Sequence, residues 1–283
     1  MTAAIELMTA PTRRRAPWTI VVITVFLALV VAMTLLGGLL FPDAMRQDIL
    51  ASLLPAGTDG HPLGTDELGR DVLAMTIAGT ASSVVGPVCV AVGSMLFGIV
   101  LGTLAGYERG WIDFVIGRWT DLLLALPVLL AAIVVSGVLG GGYWVTVALL
   151  IVLFSPSDIR IVRAGVLEQS ARPYIEAAQM LSLSRWRVMF RHILPNVSTL
   201  VITNVMLNTA FALVAFSSLS FLGVGVAPGT ADWGRQLTDN RAIMFDNPLA
   251  VVVPALLVIL VACAVNVFGD WLGERLSRTG AAA

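Results

Sequence analysis

Long apolar runs constrain this chain more than any other feature of its sequence. Trp18–Phe41 is a stretch of 24 residues without a charge, and Leu122–Ser157 is a stretch of 36. About 20 apolar residues in a helix cross the hydrocarbon core of a bilayer. Only 12% of the residues are charged and 58% are hydrophobic, whereas roughly a quarter of a soluble domain is charged. The sequence therefore predicts an all-α polytopic membrane protein.

Six membrane spans are expected from these runs and their breaks. Gly140–Gly142 interrupts the longest run and predicts a tight turn, because glycine reaches positive φ without a steric penalty. The expected spans are Trp18–Phe41, Ser83–Tyr107, Ile112–Gly137, Tyr143–Val162, Val197–Ser217 and Pro248–Val267. We expect their centres to be uncharged. An even number of spans places both termini on one side of the membrane.

The distribution of arginine predicts which side that is. The 17 basic residues are all arginine, and only Arg46, Arg70, Arg235 and Arg241 fall on the side opposite the termini. Positive charge is concentrated in cytoplasmic segments, so both termini are expected in the cytoplasm. The predicted organisation is a tail over 1–17, a first transmembrane helix over 18–41, an external loop over 42–78, a transmembrane core over 79–273 and a cytoplasmic tail over 274–283.

A polar segment, "EAAQMLSLSRWRVMFRHILP", runs from Glu176 to Pro195 and lies within an expected cytoplasmic loop over 164–195. Its apolar residues have helical spacing in two registers, first Tyr174, Ala177, Ala178 and Leu181, and then Trp186, Met189, Phe190 and Ile193. We expect two short amphipathic helices, the second capped by Ser184 and ended by Pro195.

Two interpretations of this segment are open. It could lie on anionic lipid as an interfacial helix, or it could dock a cytoplasmic partner. The second is favoured because the small residues Ala177 and Ala178 beside Glu176 would let a partner approach the backbone closely. Arg185, Arg187 and Arg191 are expected off the second apolar stripe.

At this point the sequence resembles a known family. "EAA" followed by "ILPN" resembles the EAA loop of permease subunits of binding-protein-dependent ABC importers. Three further stretches are similar to the C-type permease of the dipeptide, oligopeptide and nickel branch: "HPLGTDELGRDV" (His61–Val72), "GTLAGYERGWIDFVIGRWTDLLLALP" (Gly102–Pro127) and "FLGVGVAPGTADWG" (Phe221–Gly234). The resemblance extends from about His61 to Trp271. It implies a type I importer permease fold in the bacterial inner membrane.

The resemblance also implies partners and cargo. We expect a homologous second permease, one or two cytoplasmic ATPase subunits that hold ATP and Mg²⁺, an external binding protein and membrane lipid, with no nucleic acid. The chain has no GxxxxGK[ST] motif, so it is not expected to bind ATP through a P-loop. It also has no HExxH or GxSxG motif, and no cofactor, no metal and no catalysis are expected in it. Peptide is the expected cargo, with a nickel complex, glutathione or haem as alternatives.

The residues that the resemblance assigns to ATPase coupling are Tyr174, Glu176, Ala177, Ala178, Leu181, Ser182, Arg185 and Arg191, with His192 beside them. Ser182 stands where the family usually has glycine. Since serine reaches positive φ less readily than glycine, we expect the loop to bend differently there.

Four other features carry an expectation. His61, Asp66, Glu67 and Asp71 could be drawn as a metal site, but a structured loop is favoured, with Asp66 as a helix cap. Gly98, Gly102 and Gly106 predict close helix packing rather than a pore lining. Arg118 and Asp121 predict an ion pair, with an inner gate as the alternative. Trp233 is expected to anchor at the membrane interface.

Two other classes of protein compete with a permease subunit. An autonomous secondary carrier would normally have ionisable residues at mid-membrane and two related halves. A membrane-embedded enzyme would need a nucleophile and a base in a recognisable arrangement. Neither pattern is found in the sequence, so a permease subunit is favoured.

Overall fold

A computed structural model describes residues 17–280, which are predominantly helical. The α-helices in this part of the chain are α1 Pro17–Leu40, α2 Val72–Ala78, α3 Thr80–Phe97, α4 Thr103–Glu108, α5 Gly110–Leu124, α6 Val128–Leu139, α7 Tyr143–Ser170, α8 Pro173–Met180, α9 Arg185–Arg187, α10 Leu194–Phe221, α11 Trp233–Asn240 and α12 Leu249–Gly280. Short π-helical segments join α3 to α4 (Gly98–Gly102) and α9 to α10 (Val188–Ile193).

The helices confirm a polytopic all-α protein. Within residues 17–280, five stretches are long and apolar enough to cross a membrane: Trp18–Leu40, Val72–Glu108, Tyr143–Ser170, Arg185–Phe221 and Leu249–Arg278. A sixth span exists only if α5 and α6 are counted as one. The turn at Gly140–Gly142 is confirmed, because all three glycines have positive φ.

The third expected span, about Ile112–Gly137, is not one continuous helix. Helices α5 and α6 meet at a bend of 87°. Pro127 lies at the break, and a proline disfavours helical conformation in the residue before it. The apolar run is continuous in sequence, but the helix that it forms is interrupted between Leu124 and Val128.

Helices extend into two segments that were expected outside the transmembrane core. The external loop was expected to end at residue 78, yet α2 begins at Val72, with the Asp71 carboxylate accepting a hydrogen bond from the Ala74 amide at 2.7 Å. Asp66 was expected as a cap and instead accepts from the amides of Leu68 and Arg70. The tail expected over 274–283 is helical through Gly280. The tail over 1–17 lies, except for its last residue, outside the described residues, as do residues 281–283.

Three glycines bring the second span against α7, as their spacing predicts. A Cβ atom at Gly98 would lie 2.7 Å from the Asp158 Cβ, at Gly102 2.8 Å from the Ile159 carbonyl oxygen, and at Gly106 2.9 Å from a Val166 methyl carbon. Real Cβ contacts are not that short. Only glycine therefore permits this helix separation.

The end of the molecule opposite α8 is closed by α11. Trp233, expected at the membrane interface, is instead completely buried, and its indole N–H donates to the Thr76 carbonyl at 2.9 Å. Its backbone N–H donates to the Ser83 hydroxyl, which in turn donates to Asp232. Burial raises the pKa of Asp232, while hydrogen bonds from the Arg235 amide and the serine hydroxyls act in the opposite direction.

An ion-pair network fixes the loop before α2 to α11. The buried guanidinium of Arg70 lies 2.6 Å from Asp66 and 3.5 Å from Asp239, and Asp239 lies 2.9 Å from Arg235. Nδ1 of His61 is 2.7 Å from Asp71. Across residues 17–280, no group of three or more His, Cys, Asp or Glu side chains has a metal-binding arrangement. These contacts support a structured loop.

The glycine contact gives a testable prediction. Gly102→Ala places a methyl group against the Ile159 carbonyl and should destabilise the chain by about 1–3 kcal/mol, as overpacking does. Gly38→Ala is the matched control, because nothing lies within 4 Å of a Cβ at Gly38 in α1. Thermal unfolding in detergent should show a lower midpoint for Gly102→Ala only. Equal midpoints for the two variants would contradict the packing assignment.

Candidate functional site

The candidate coupling loop is built on α8. Pro173 occupies its first turn, where a missing N–H leaves no hydrogen bond unmade. At its other end, the Ser182 amide donates to the Gln179 carbonyl at 2.9 Å and the Leu183 amide to the Ala178 carbonyl at 3.4 Å. This pair of bonds is a Schellman motif, which satisfies the last carbonyls of a helix.

Ser182 occupies the left-handed position of that motif. Its φ is +55°, the conformation that glycine normally supplies. The expectation that serine would make the loop bend differently was therefore wrong: the backbone has the glycine-type bend despite the side chain. The serine carries a local strain of about 1 kcal/mol there.

The face of α8 that packs inward differs from the predicted stripe. Ile175 and Ala178 are buried in a cluster with Val162, Val188 and other residues of α7 and the π-helical segment. Of the predicted stripe, only Ala178 is buried. Tyr174, Ala177 and Leu181 are exposed. Ala178 thus contacts its own chain, and Glu176 and Ala177 remain on the outer face.

An exposed apolar patch lies at the turn after α8. Met180, Leu181 and Trp186 are 84%, 76% and 61% exposed. Trp186 stacks on Phe190, with ring centroids 5.6 Å apart. We call these four residues the tip patch. Charged residues close to it in sequence, Glu176, Arg185, Arg187 and Arg191, are all exposed, so the arginines lie off the buried stripe as expected. Exposed apolar groups accompanied by charged ones are typical of a protein-binding surface.

Hydrogen bonds hold the loop to three other helices. Arg185 pairs with Glu108 at the end of α4, at 2.7 Å. The Tyr174 hydroxyl donates to the Gln169 side chain at 3.0 Å and accepts from Asn196 at 3.2 Å. Burial raises the pKa of Tyr174, so its hydroxyl stays protonated and able to donate. His192 contributes its carbonyl oxygen, which accepts from Asn196.

The second short helix was expected to end at Pro195, but it does not. Ser184 caps its start, accepting from the Arg187 amide at 3.4 Å, as predicted. From there the helical path continues through the π-helical segment into α10. Pro195 has no N–H to donate, and the preceding Leu194 amide bonds five residues back to Met189. The loop is therefore continuous with a membrane span.

Arg118 and Asp121 lie together, as predicted, but within a larger set of charges. Arg118 is 3.5 Å from Asp121, and Asp121 also contacts Arg160 of α7. Asp113 forms a two-point pair with Arg163, at 2.5 and 2.6 Å. These pairs line a groove of about 330 Å³ between α5 and α7.

Sequence reasoning missed one set of polar residues completely. Asp158 lies near the middle of α7, is fully buried, and accepts hydrogen bonds from Asn204 and Asn208 of α10. The sequence held a signal: two asparagines four residues apart within an apolar helix lie on one face.

The helices and this loop define a polytopic α-helical membrane protein with a short helical loop joining two of its spans. Residues 98–278 match the model of the family described as binding-protein-dependent transport system inner membrane component. The chain belongs to this family.

Curated relatives cover nearly the whole chain. It is 32% identical to the glutathione transport system permease protein GsiD of Pectobacterium atrosepticum over 89% of this chain and 84% of that protein. It is 32% identical to the dipeptide transport system permease protein DppC of Haemophilus influenzae over 89% and 88%. It is 34% identical to the di/tripeptide transport system permease protein DppC of Pseudomonas aeruginosa over 83% and 78%.

The Schellman motif gives a second prediction. Ser182→Gly removes the strain of a side chain at positive φ and should stabilise the chain by about 1 kcal/mol. Ser184→Gly is the matched control, because Ser184 has a φ of −61° and acts as a cap, so this change should bring no gain. Thermal unfolding of the two purified variants distinguishes them. A lower midpoint for Ser182→Gly would show that the serine side chain is required at this bend.

Proposed function

We propose that this chain is the permease subunit of an ATP-driven importer and that its tip patch docks a cytoplasmic ATPase subunit. The observation that carries the proposal is the exposure of Met180, Leu181 and Trp186 on a loop that the rest of the chain holds rigidly. An apolar surface of this kind needs a partner. The proposal places α8 and both termini in the cytoplasm, in agreement with the arginine distribution.

The proposed mechanism is mechanical coupling. The ATPase would contact Glu176, Ala177 and Leu181 on the outer face, with Ser182 shaping the turn. Movement of α8 would reach the membrane through two routes. One is the helical continuity from Arg185 to Phe221, and the other is the Arg185–Glu108 ion pair. Coupling needs a contact that differs between two states, and a short helix seated in a moving groove of the ATPase would supply one. Arg191 would make peripheral contacts.

We propose that the cargo is a short peptide. The support comes from the relatives, which are named as permeases for dipeptides, di/tripeptides or glutathione, itself a small peptide. An external binding protein would deliver the peptide to the end closed by α11. A homologous second permease would complete the pathway. ATP and Mg²⁺ would be held by the ATPase subunits, and this chain would perform no catalysis.

We also propose that the Arg118–Asp121–Arg160 set braces α5 against α7 at the cytoplasmic end of the pathway. Asp121 bridges the two helices, so it opposes their separation. The pairs are half-exposed, which makes each worth roughly 0–1 kcal/mol. Interactions of that size are suited to a contact that opens and closes in each transport cycle.

An alternative function for the loop is attachment to anionic lipid. Trp186 and the three arginines would suit the lipid interface. Glu176 would not, because it adds a negative charge to the same surface. Docking of a protein accounts for both signs of charge.

Charge reversal at the outer face of α8 tests the docking proposal. Glu176→Lys should leave the chain folded and inserted but reduce copurification of the ATPase subunit at least fivefold. Glu67→Lys is the control, because Glu67 is exposed at the opposite end. Pull-down of the co-expressed ATPase through a tag on the permease measures the effect. Full transport by Glu176→Lys would contradict the coupling role.

The cargo is tested with the complete importer in liposomes. ATP hydrolysis should rise when the binding protein is loaded from a mixed dipeptide pool. If ATP hydrolysis rises with a nickel complex or haem but not with peptides, the importer architecture stands and the peptide cargo is contradicted. Failure of the chain to associate with any ATPase would favour an autonomous carrier.

A further inference from the structure

A buried polar cluster occupies the middle of two spanning helices. Asp158 has no exposed surface, and Asn204 and Asn208 are 6% and 8% exposed. Asp158 lies near the centre of α7 and the asparagines near the centre of α10, both 28-residue helices. A buried acidic side chain within a spanning helix is costly and is normally retained for a function.

The hydrogen bonds within the cluster are one-sided. The Nδ2 atoms of Asn204 and Asn208 both donate to Oδ1 of Asp158, at 2.5 and 2.6 Å. Oδ2 of Asp158 is buried and has no hydrogen bond of good geometry from the described residues, although the Ser94 hydroxyl of α3 lies beside the carboxyl group. Gly98 closes the opposite side, since a Cβ there would lie 2.7 Å from the Asp158 Cβ. The carboxylate is thus packed on one side and faces the two amides on the other.

The asparagines border a cavity of about 590 Å³ between the α5–α6 bend, α7 and α10. Most of its lining is apolar, including Leu129, Phe154 and Phe211. Cavities of roughly 300–1,000 Å³ with a few placed polar groups are typical of small-molecule sites. Such a volume is large enough for a dipeptide.

The orientation of the amides determines which ligand group they suit. An amide group carries two donors on nitrogen and an acceptor oxygen. Because each nitrogen donates to Asp158, each oxygen is directed away from that carboxylate and is available as an acceptor. An ammonium group has three donors, no acceptor and a positive charge. An ammonium group could donate to both asparagine oxygens, and the Asp158 carboxylate, which is hydrogen-bonded to the same two amides, would supply the opposite charge.

We propose that Asn204 and Asn208 receive the protonated amino terminus of the transported peptide in this cavity. Asp158 is the positioning residue: it orients both amides and balances the positive charge of the ammonium group. The inference rests on the proposed function, because it requires a peptide cargo. It adds a specificity site within the permease, separate from the selection made by the binding protein.

A purely structural role is the competing explanation, in which the cluster only ties α7 to α10. The structural explanation and the ammonium-binding explanation differ in whether they require a negative charge. A hydrogen-bonded tie needs donors and acceptors at these positions, whereas ammonium binding also needs a negative charge near the cavity. A variant that exchanges Asp158 and Asn208 moves the negative charge to a neighbouring position and keeps the hydrogen-bonding groups. It therefore distinguishes the two explanations.

The test uses the complete importer reconstituted in liposomes, with radiolabelled dialanine as the probe. Asp158→Asn should lower maximal uptake at least tenfold, while ATP hydrolysis stimulated by loaded binding protein stays within twofold of the original. The concentration of loaded binding protein that gives half-maximal uptake should not change. The double variant Asp158→Asn with Asn208→Asp should regain at least a third of the uptake. Thr209→Val is the control, because that hydroxyl bonds only within α10.

A second measurement addresses the ammonium group itself. Saturation-transfer NMR on the importer in nanodiscs, without binding protein, should detect dialanine at least tenfold more strongly than N-acetyldialanine. The difference should disappear in Asp158→Asn. If that variant does not assemble, Asn208→Ala serves, since it leaves the carboxylate in place and removes one acceptor oxygen.

Several outcomes would overturn the inference. They are unchanged uptake by Asp158→Asn, equal losses of uptake and ATP hydrolysis without recovery in the double variant, and equal NMR signals from the two dipeptides. If the importer without substitutions transports no dialanine, both the peptide cargo of the proposed function and this inference are contradicted. If that importer transports dialanine and Asp158→Asn fails every test above, only this inference is contradicted and the proposed function stands.

Discussion

Close contact between the second span and α7 is the constraint on which the rest of this structure depends. Gly98, Gly102 and Gly106 lie against Asp158, Ile159 and Val166 at separations that no side chain would allow. In a bilayer, helix association gains little from the hydrophobic effect, so packing at short range supplies the attraction. This contact fixes α7, and α7 carries the polar cluster, the partners of the charged groove and the support for α8.

The two ends of the molecule are built by different interactions. At the α11 end, buried hydrogen bonds and the Arg70–Asp239 network hold irregular backbone in place. Irregular backbone near a membrane is tolerated only where its polar groups are satisfied. At the α8 end, a buried apolar face formed by Ile175 and Ala178 holds the loop, together with the hydrogen bonds of Tyr174 and the Arg185–Glu108 ion pair. The first end is suited to a fixed surface and the second to a unit that moves as one body.

The coupling loop shows how much of a site the sequence predicts. The presence of short helices, the cap at Ser184 and the exposed arginines were correct because each depends on a few neighbouring residues. The inward face of α8 was wrong because which side is buried depends on α7 and the π-helical segment, which local spacing does not contain. The Ser182 bend was wrong for a similar reason: the hydrogen bonds of the Schellman motif and the packing of Leu183 outweigh a preference of about 1 kcal/mol.

The sequence alone determined that the chain spans a membrane, which family it resembles, where the glycine contact lies and where the chain turns at Gly140–Gly142. These follow from composition, from periodicity and from the conformational freedom of glycine, which are properties of short stretches. The tertiary structure alone decided that α5 and α6 meet at 87°, that Trp233 is buried and that Asp158 meets two asparagines about 50 residues further along the chain. Those features depend on which distant segments come together, and packing between helices makes that choice.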